Sequence, residues 1–576
     1  MEDLKLSVVT DKSGQGLQNV QSTEVKPGYA RIKAEYIISK PLVVKDQSQN
    51  IAELCLTENE EKSDKATQNN KKYGPPKRTR EVNQHVVRLC KSASMPGAKC
   101  KYGDKCTALH SKEEYWSRRP EDIDEQCVIF DIMGECNYGV SCRFANAHTN
   151  EDLSQRKKEP NGQHQPLINN HFQNVQMEMR KHACNFSKAD QIVQEFSPPI
   201  DKVKMPEKID LEPIIRQKPK LDMRALKGKR YLAPLTTVGN LPFRRLCVDF
   251  GAEITCSEMA ICTSLLQGNS QEWSLVKRHP SEKIFGVQMA GGYPDTMTRA
   301  TQLIADKCEV DFIDINLGCP IDSINEKGAG CALGNKSNRL MNVLRCMNAA
   351  AEDVPVTMKM RYGIKEGERN THYAMAKAAK IGGTQLITLH PRSKDQRYTK
   401  AAEWDYVREC ATAIDGRCPL WVCGDVMNHE DYYKRLNNYP IDGIMIGRGA
   451  LIKPWIFTEI EERRHWDITS TERLGIIKKF VNYGLENWGS DHMGVEITRR
   501  FLLEWLSFQC RYIPVGLLEV VPQNINQRPP PYFGRNEMET LLASPSSSDW
   551  VKISEIFLGK TPEGFLFVPK HNANAY

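Results

Sequence analysis

No run of eighteen consecutive apolar residues occurs in the 576-residue chain, which argues against a membrane-spanning helix. The opening stretch, MEDLKLSVVT, lacks both the basic n-region and the apolar h-region of a secretory signal. Charge of one sign is scarce too: 79 Lys+Arg against 72 Asp+Glu leave a net charge of only +7. Such a mild excess is compatible with nucleic acid but does not demonstrate it. Cysteine, by contrast, is plentiful. Nineteen cysteines in a chain without a signal are expected to be reduced thiols, some with metal-binding or catalytic roles. The expectation is a monomer of the cytoplasm or nucleus with no membrane partner. Its length exceeds what one core ordinarily organises, so several domains are expected.

Residues 1–82 are rich in Lys, Glu, Gln, Asn and Ser with poor periodicity, and read as disordered. Cysteine concentrates in residues 83–150. Residues 151–225 are polar and punctuated by Pro and Lys, and read as a linker with little fixed structure. From about 226 to 460 the texture changes. Eight short apolar runs (RYLAPL, AEITCSEM, KIFGVQM, FIDINL, PVTMKM, QLITLH, CPLWVC, DGIMIG) alternate with helix-like segments. That pattern predicts a parallel β/α fold, and the count of eight favours a TIM (β/α)8 barrel over an open sheet. Residues 461–576 carry helical patterns, opened by the capping-box pair Thr469 and Glu472, and predict a C-terminal helical domain.

Within 83–150, CKYGDKC returns as CNYGVSC. Cys90, Cys100, Cys106 and His110 have the spacing C-x9-C-x5-C-x3-H, and Cys127, Cys136, Cys142 and His148 have C-x8-C-x5-C-x5-H. Three thiolates and an imidazole close a tetrahedral Zn2+ site, and segments this poor in apolar residues need such a staple to fold. The two sets resemble tandem CCCH zinc fingers, a family that generally binds RNA. The longer interval before His148 leaves it a weaker fourth ligand than His110. Tyr102 and Tyr138 hold equivalent places in the repeat. They could stack on unpaired bases while Lys101, Lys105 and Arg143 meet phosphates, or they could simply pack over the metal.

Parallel barrels build their active sites at the C-terminal ends of the strands. Read in order, those ends offer Pro234, Leu235 and Thr236, then Gln288, then Asn316 and Cys319, then Lys359, His390, Gly424 with Asp425, and Gly447 with Arg448. Singly, each has a dull explanation. An amide, a thiol, a cation and an imidazole on one rim are harder to dismiss. The glycines after the last two strands match the place where barrels bind phosphate, and Arg448 adds a fork suited to a phosphate monoester. A phosphorylated cofactor across the mouth follows, with Lys359 placed to stabilise an anionic ring and Gln288 to pair with a ring edge.

The segments APLTTVGNLPFRRL, GVQMAG, INLGCP, MKMR, LHPRSKDQRYTKAAEW and IMIGRGAL resemble the signature segments of the tRNA dihydrouridine synthases, over the barrel and into the helical domain, which the resemblance implies is a tRNA-binding domain. A fused CCCH pair is a feature of one eukaryotic branch of that family. The resemblance implies FMN at Pro234, Leu235, Thr236, Gln288, Lys359, His390, Cys423, Gly424, Asp425, Gly447 and Arg448, with NADPH or NADH as reductant. It implies Cys319 as proton donor, with Asn316 beneath it holding the uracil edge. The substrate implied is a variable-loop uridine of tRNA, with mRNA uridines left open. The family usually has Asn where this chain has Cys423, so backbone contacts there would survive and a side-chain contact would not. Two rivals stand beside this reading: an FMN-barrel oxidoreductase acting on free pyrimidines, and a non-catalytic CCCH RNA-binding protein.

Overall fold

The computed structural model describes residues 28–38, 87–94, 99–162, 164–197 and 219–570. Nine strands form one parallel sheet: β1 (Tyr231–Leu232), β2 (Ile254–Cys256), β3 (Ala260–Ile261), β4 (Ile284–Ala290), β5 (Phe312–Leu317), β6 (Val356–Arg361), β7 (Ile387–His390), β8 (Leu420–Val422) and β9 (Gly443–Ile446). β1 pairs with both β2 and β9, and β2 pairs with β4, so eight of the strands close into a barrel. The second expected strand is split. β2 pairs with the first half of β4 and β3 with its end, Ala260 opposite Met289. Between them Ser257 breaks register, its hydroxyl accepting the Gln288 N–H at 3.0 Å.

Strand residues are buried almost throughout, as a sheet covered on both faces requires. The lower end of the barrel is plugged by large rings. Tyr231 meets Phe312 and Trp421 edge-on, with centroids 6.1 and 5.7 Å apart. Gly286 and Gly443 make room for them, because a Cβ there would lie 2.1 Å from the Phe312 ring and 2.6 Å from Trp421. The barrel can therefore open only at its C-terminal rim.

The helical domain begins with Ser470–Trp488, whose Thr469–Glu472 capping box forms as the spacing predicts. Helix His492–Gln509 packs beside it and against the barrel, where Trp505 Nε1 donates to the Leu451 carbonyl at 3.0 Å.

Two expectations need correction. The 151–225 stretch is not a free linker in its described part. It forms helices Gln173–Arg180 and Ser187–Phe196. The second lies on the barrel helix Pro294–Lys307, with Arg299 paired to Asp190 at 2.8 Å. Phe172, Val175 and Met179 at helical spacing, with Ala189 on the second helix, supply apolar contacts that the surrounding polar residues disguise. Nor is all of 1–82 structureless: Ala30 and Ile32 are buried against Ile513, Leu517 and Tyr532, with backbone bridges Tyr29–Arg528, Ile32–Leu518 and Ile37–Tyr532. The remainder of 1–82 lies outside the described residues.

Candidate active site and metal centres

All the rim residues singled out from the sequence line one cavity of about 550 Å³ at the barrel mouth, a size that suits a cofactor or a nucleotide. The centre of the site is a chain of hydrogen bonds that starts inside the barrel. Asp314, fully buried on β5, accepts from Thr357 Oγ1 at 2.6 Å and from Gln288 Nε2 at 2.8 Å. Gln288 Oε1 in turn accepts from Asn316 Nδ2 at 2.7 Å. Asn316 Oδ1 then accepts the backbone N–H groups of Gly318 and Cys319 at 3.2 and 2.9 Å. Asp314 thus fixes which way both amides face, and the second amide caps the turn that presents the thiol. Each amide keeps one N–H for a ligand, and Gln288 Oε1 keeps one lone pair, whereas both lone pairs of Asn316 Oδ1 are taken.

Cys319 is 8% exposed. Burial pushes its thiol pKa up, against the opposing influence of the Ile321 backbone N–H and Arg361, so at neutral pH it carries its proton. His390 is driven well below the usual imidazole range by burial and then by Arg361, Lys359, Arg392 and Arg448. It is therefore neutral. Arg392 Nη1, 3.3 Å from Nε2, can only donate, which assigns the ring proton to Nδ1.

Lys359 and Arg448 face the cavity without a hydrogen bond or ion pair to any described residue; Arg448 lies 3.1 Å over the Tyr398 ring. Burial lowers the Arg448 pKa to about 10, so it stays cationic. The Asp425 carboxylate is engaged elsewhere, with both oxygens 2.7 Å from Arg392 Nη2 and one accepting the Ala402 N–H. Asp425 can offer a ligand its backbone, as can its neighbours Cys423 and Gly424. A cavity with unpaired cations, a neutral imidazole and oriented amides is built for an anionic ring carrying phosphate. The donor set fits FMN.

The two cysteine–histidine quartets also assemble. Within each, one ligand atom per residue lies within 4.8 Å of all the others. Cys90 and Cys100 Sγ are 3.6 Å apart, and Cys127 and Cys142 Sγ 3.8 Å. Two thiolates about 2.3 Å from a tetrahedral zinc would be roughly 3.8 Å apart. His148 is wholly buried and neither ring nitrogen makes a hydrogen bond, the state of an imidazole placed for a metal. Every described cysteine is a free thiol.

The quartets differ in setting. In the first, Tyr102 is 73% exposed, and Lys101 and Lys105 are exposed beside it. The second is embedded in the helical domain. Ser490 Oγ lies 3.1 Å from Cys142 Sγ and 3.6 Å from Cys136 Sγ, and Arg143 N–H donates to the Ser490 carbonyl. Tyr138 fills the space above Gly489, where a Cβ would sit 2.4 Å from its hydroxyl. The RNA-facing role considered for Tyr138 and Arg143 gives way to packing: Arg143 is half-buried and donates to the Glu121 carbonyl.

Residues 231–506 match the dihydrouridine synthase family. A human protein, tRNA-dihydrouridine(47) synthase [NAD(P)(+)]-like, is 46% identical over 86% of this chain and 82% of its own length. The chain belongs to the dihydrouridine synthase family. The Arabidopsis thaliana relative of the same name is 39% identical over 86% of each chain. The Coprinopsis cinerea tRNA-dihydrouridine(47) synthase is 37% identical over 96% of this chain and 98% of its own. As a dihydrouridine synthase the chain is an oxidoreductase.

Several residues lining this cavity escaped the sequence reading. Met259, Arg361 and Tyr398 line the cavity from the barrel, and Phe508, Arg511, Ile525, Arg528 and Lys570 from the helical side. Arg361 and Tyr398 stood inside quoted motifs. The helical-side residues carried no local signal, because their place depends on how one domain sits on the other.

Proposed function

We propose that this protein reduces the C5=C6 bond of uridine 47 in tRNA, the nucleotide named in its relatives, with FMN at the barrel mouth and NADPH as reductant. The observation that carries this reading is the protonated Cys319 thiol, held by Asn316 at the rim of a cation-lined cavity. Uracil reduction needs a hydride at C6 and a proton at C5. Bound FMN, reduced by NADPH, would supply the hydride. Pro234, Leu235, Thr236, Gln288, Lys359, His390, the backbone of Cys423, Gly424 and Asp425, and Gly447 with Arg448 would hold it. Lys359 would offer positive charge to the ring, and Arg448 would anchor the phosphate. Cys319 gives its proton to C5, and its raised pKa keeps it in the acid form until the hydride arrives. The Asn316 amide N–H left over from the Gln288 bond can hold a uracil carbonyl. The uridine must leave the RNA fold to reach the cavity.

Two zinc ions in the cysteine–histidine quartets complete the assignment. The outward Tyr102, Lys101 and Lys105 of the first finger suit unpaired RNA. Reduced zinc thiolates suit the cytoplasm or nucleus.

The test is a reconstituted assay: purified protein, FMN, NADPH, and tRNA transcribed without modification, with dihydrouridine mapped by position. Reduction confined to uridine 47 is the expected result. Reduction of free uracil or orotate with tRNA untouched would favour the free-pyrimidine alternative, and no reduction of either would favour a binding protein.

A further inference from the structure

Among the described residues, three groups of cysteine, histidine and carboxylate side chains bring one ligand atom from each residue within 4.8 Å of the others. Two are the quartets already described. The third, His429, Glu430 and His465, does not line the barrel-mouth cavity. His429 and Glu430 open helix His429–Asn438, which follows β8. His465 sits in the connection between helices Ile456–Glu462 and Ser470–Trp488, where the chain leaves the barrel for the helical domain. The ligand atoms therefore come from two segments that meet at the domain junction.

Both segments are fixed by neighbours of the ligand residues. Asn428, wholly buried, caps the helix by accepting the Asp431 N–H at 2.7 Å. On the other segment the residues flanking His465 both bind Glu459. Arg464 N–H donates to its carbonyl at 3.2 Å, and Trp466 N–H to its carboxylate at 3.1 Å. The two imidazole rings are brought to 4.5 Å between centroids, and Glu430 Oε1 lies 3.4 Å from His465 Nε2. His429 Nδ1 is buried and makes no hydrogen bond, which is costly unless a ligand engages the ring. Two carboxylates, Glu430 and Glu459, act on His429 against one cation, Lys453, and Lys453 is itself bound to Glu459. The carboxylates also offset the partial positive charge of the helix start. The charge balance admits a cation.

We propose that His429, Glu430 and His465 bind a divalent first-row transition metal ion, with zinc as the representative, and that the ion clips the lead-in of the helical domain to the barrel. Two imidazoles and a carboxylate suit such ions, whereas Mg2+ and Ca2+ take oxygen ligands. The side chains of Glu430 and His465 are 56% and 19% exposed, so a fourth position opens to water, as in other three-ligand sites. The clip bears on the rim. Cys423, Gly424 and Asp425, which line the cavity, stand shortly before His429 on the same segment. An ion bound here steadies that wall without entering the cavity.

In the experiment the full chain, its zinc content measured first, is titrated with Co2+ and followed by visible absorption and by its melt. The expected result is a further equivalent of metal whose d–d bands come without the thiolate charge-transfer absorption of a cysteine site. The Tm should rise by roughly 2 °C or more at saturation, because the ion binds the folded state alone. His465→Ala should lose both the equivalent and the Tm gain while keeping the initial zinc content. His429→Ala should do the same, and reads the same quantities if the first variant does not fold. Absence of the further equivalent in wild type would leave Glu430 and His465 a plain ion pair and overturn the proposal. An equivalent that carries the thiolate band, or survives both substitutions, would place the ion elsewhere and overturn it too. Binding without any Tm gain would overturn the clip.

Discussion

Cys142 Sγ lies 3.1 Å from the Ser490 hydroxyl, across 348 residues of sequence. The second cysteine–histidine quartet is therefore a structural part of the helical domain, whereas the first presents its tyrosine and lysines outward. The two should fail differently. Cys142→Ser should strand His148 and Ser490 as buried polar groups, at about 1–3 kcal/mol, and lower the Tm by a few degrees up to about 10 °C. Cys106→Ser should leave the main melting transition in place and weaken tRNA binding. Equal Tm losses from both variants would refute this division.

Cys319→Ala should retain flavin and its reduction by NADPH while uridine reduction falls by about 10² to 10⁴, the range for losing a general acid. Single-turnover assays with pre-reduced protein isolate that step. Full turnover by the alanine variant would remove Cys319 from the role.

The buried Asp314 makes a pH prediction. Its pKa is pushed up to about 6, by burial first, against the bonds from Thr357 and Gln288 and the charge of Lys359. An unfolded Asp titrates near 3.9, so between about pH 4 and 6 the native state binds the extra proton. This carboxyl's contribution to stability is greatest below about pH 4 and declines as pH rises through 6. Activity should run the other way. Only the ionised form accepts from Thr357 and Gln288 together, so kcat should fall below about pH 6. Asp314→Asn should flatten both the acidic limb and the stability slope, as pH-dependent kinetics and melts will show.

Arg448→Ala should raise the FMN Kd roughly 10- to 100-fold, the worth of a charge-assisted contact, with little change in the melt of the flavin-free protein. Fluorescence titration of apoprotein with FMN measures it. An unchanged Kd would place the phosphate elsewhere.

The barrel and its rim were legible because each strand carries its signal locally. An apolar run ends in a polar residue or glycine, as FIDIN and LITLH do, and closure puts those ends together whatever the helices outside are doing. Asp314 was visible in the same run yet silent, since a carboxylate inside a barrel looks like any charged strand residue until Gln288 and Thr357 are seen beside it. The docked stretches 28–38 and 173–196 were hidden for another reason. Their apolar residues are sparse and single-sided, too few to stand out against Lys, Gln and Glu, but enough to attach to a surface that already exists. Arg511 was beyond reach altogether, because only the placement of one domain on another makes it part of the site.

The contact between Ser490 and the second finger also bears on how the chain is made. A ribosome adding about 5–20 residues per second needs roughly 20 to 70 s to cover the 348 residues from Cys142 to Ser490. For most of that interval the second quartet is made while the wall that will shield it has yet to be synthesised. Early metal capture would close the quartet during that wait and protect it from oxidation.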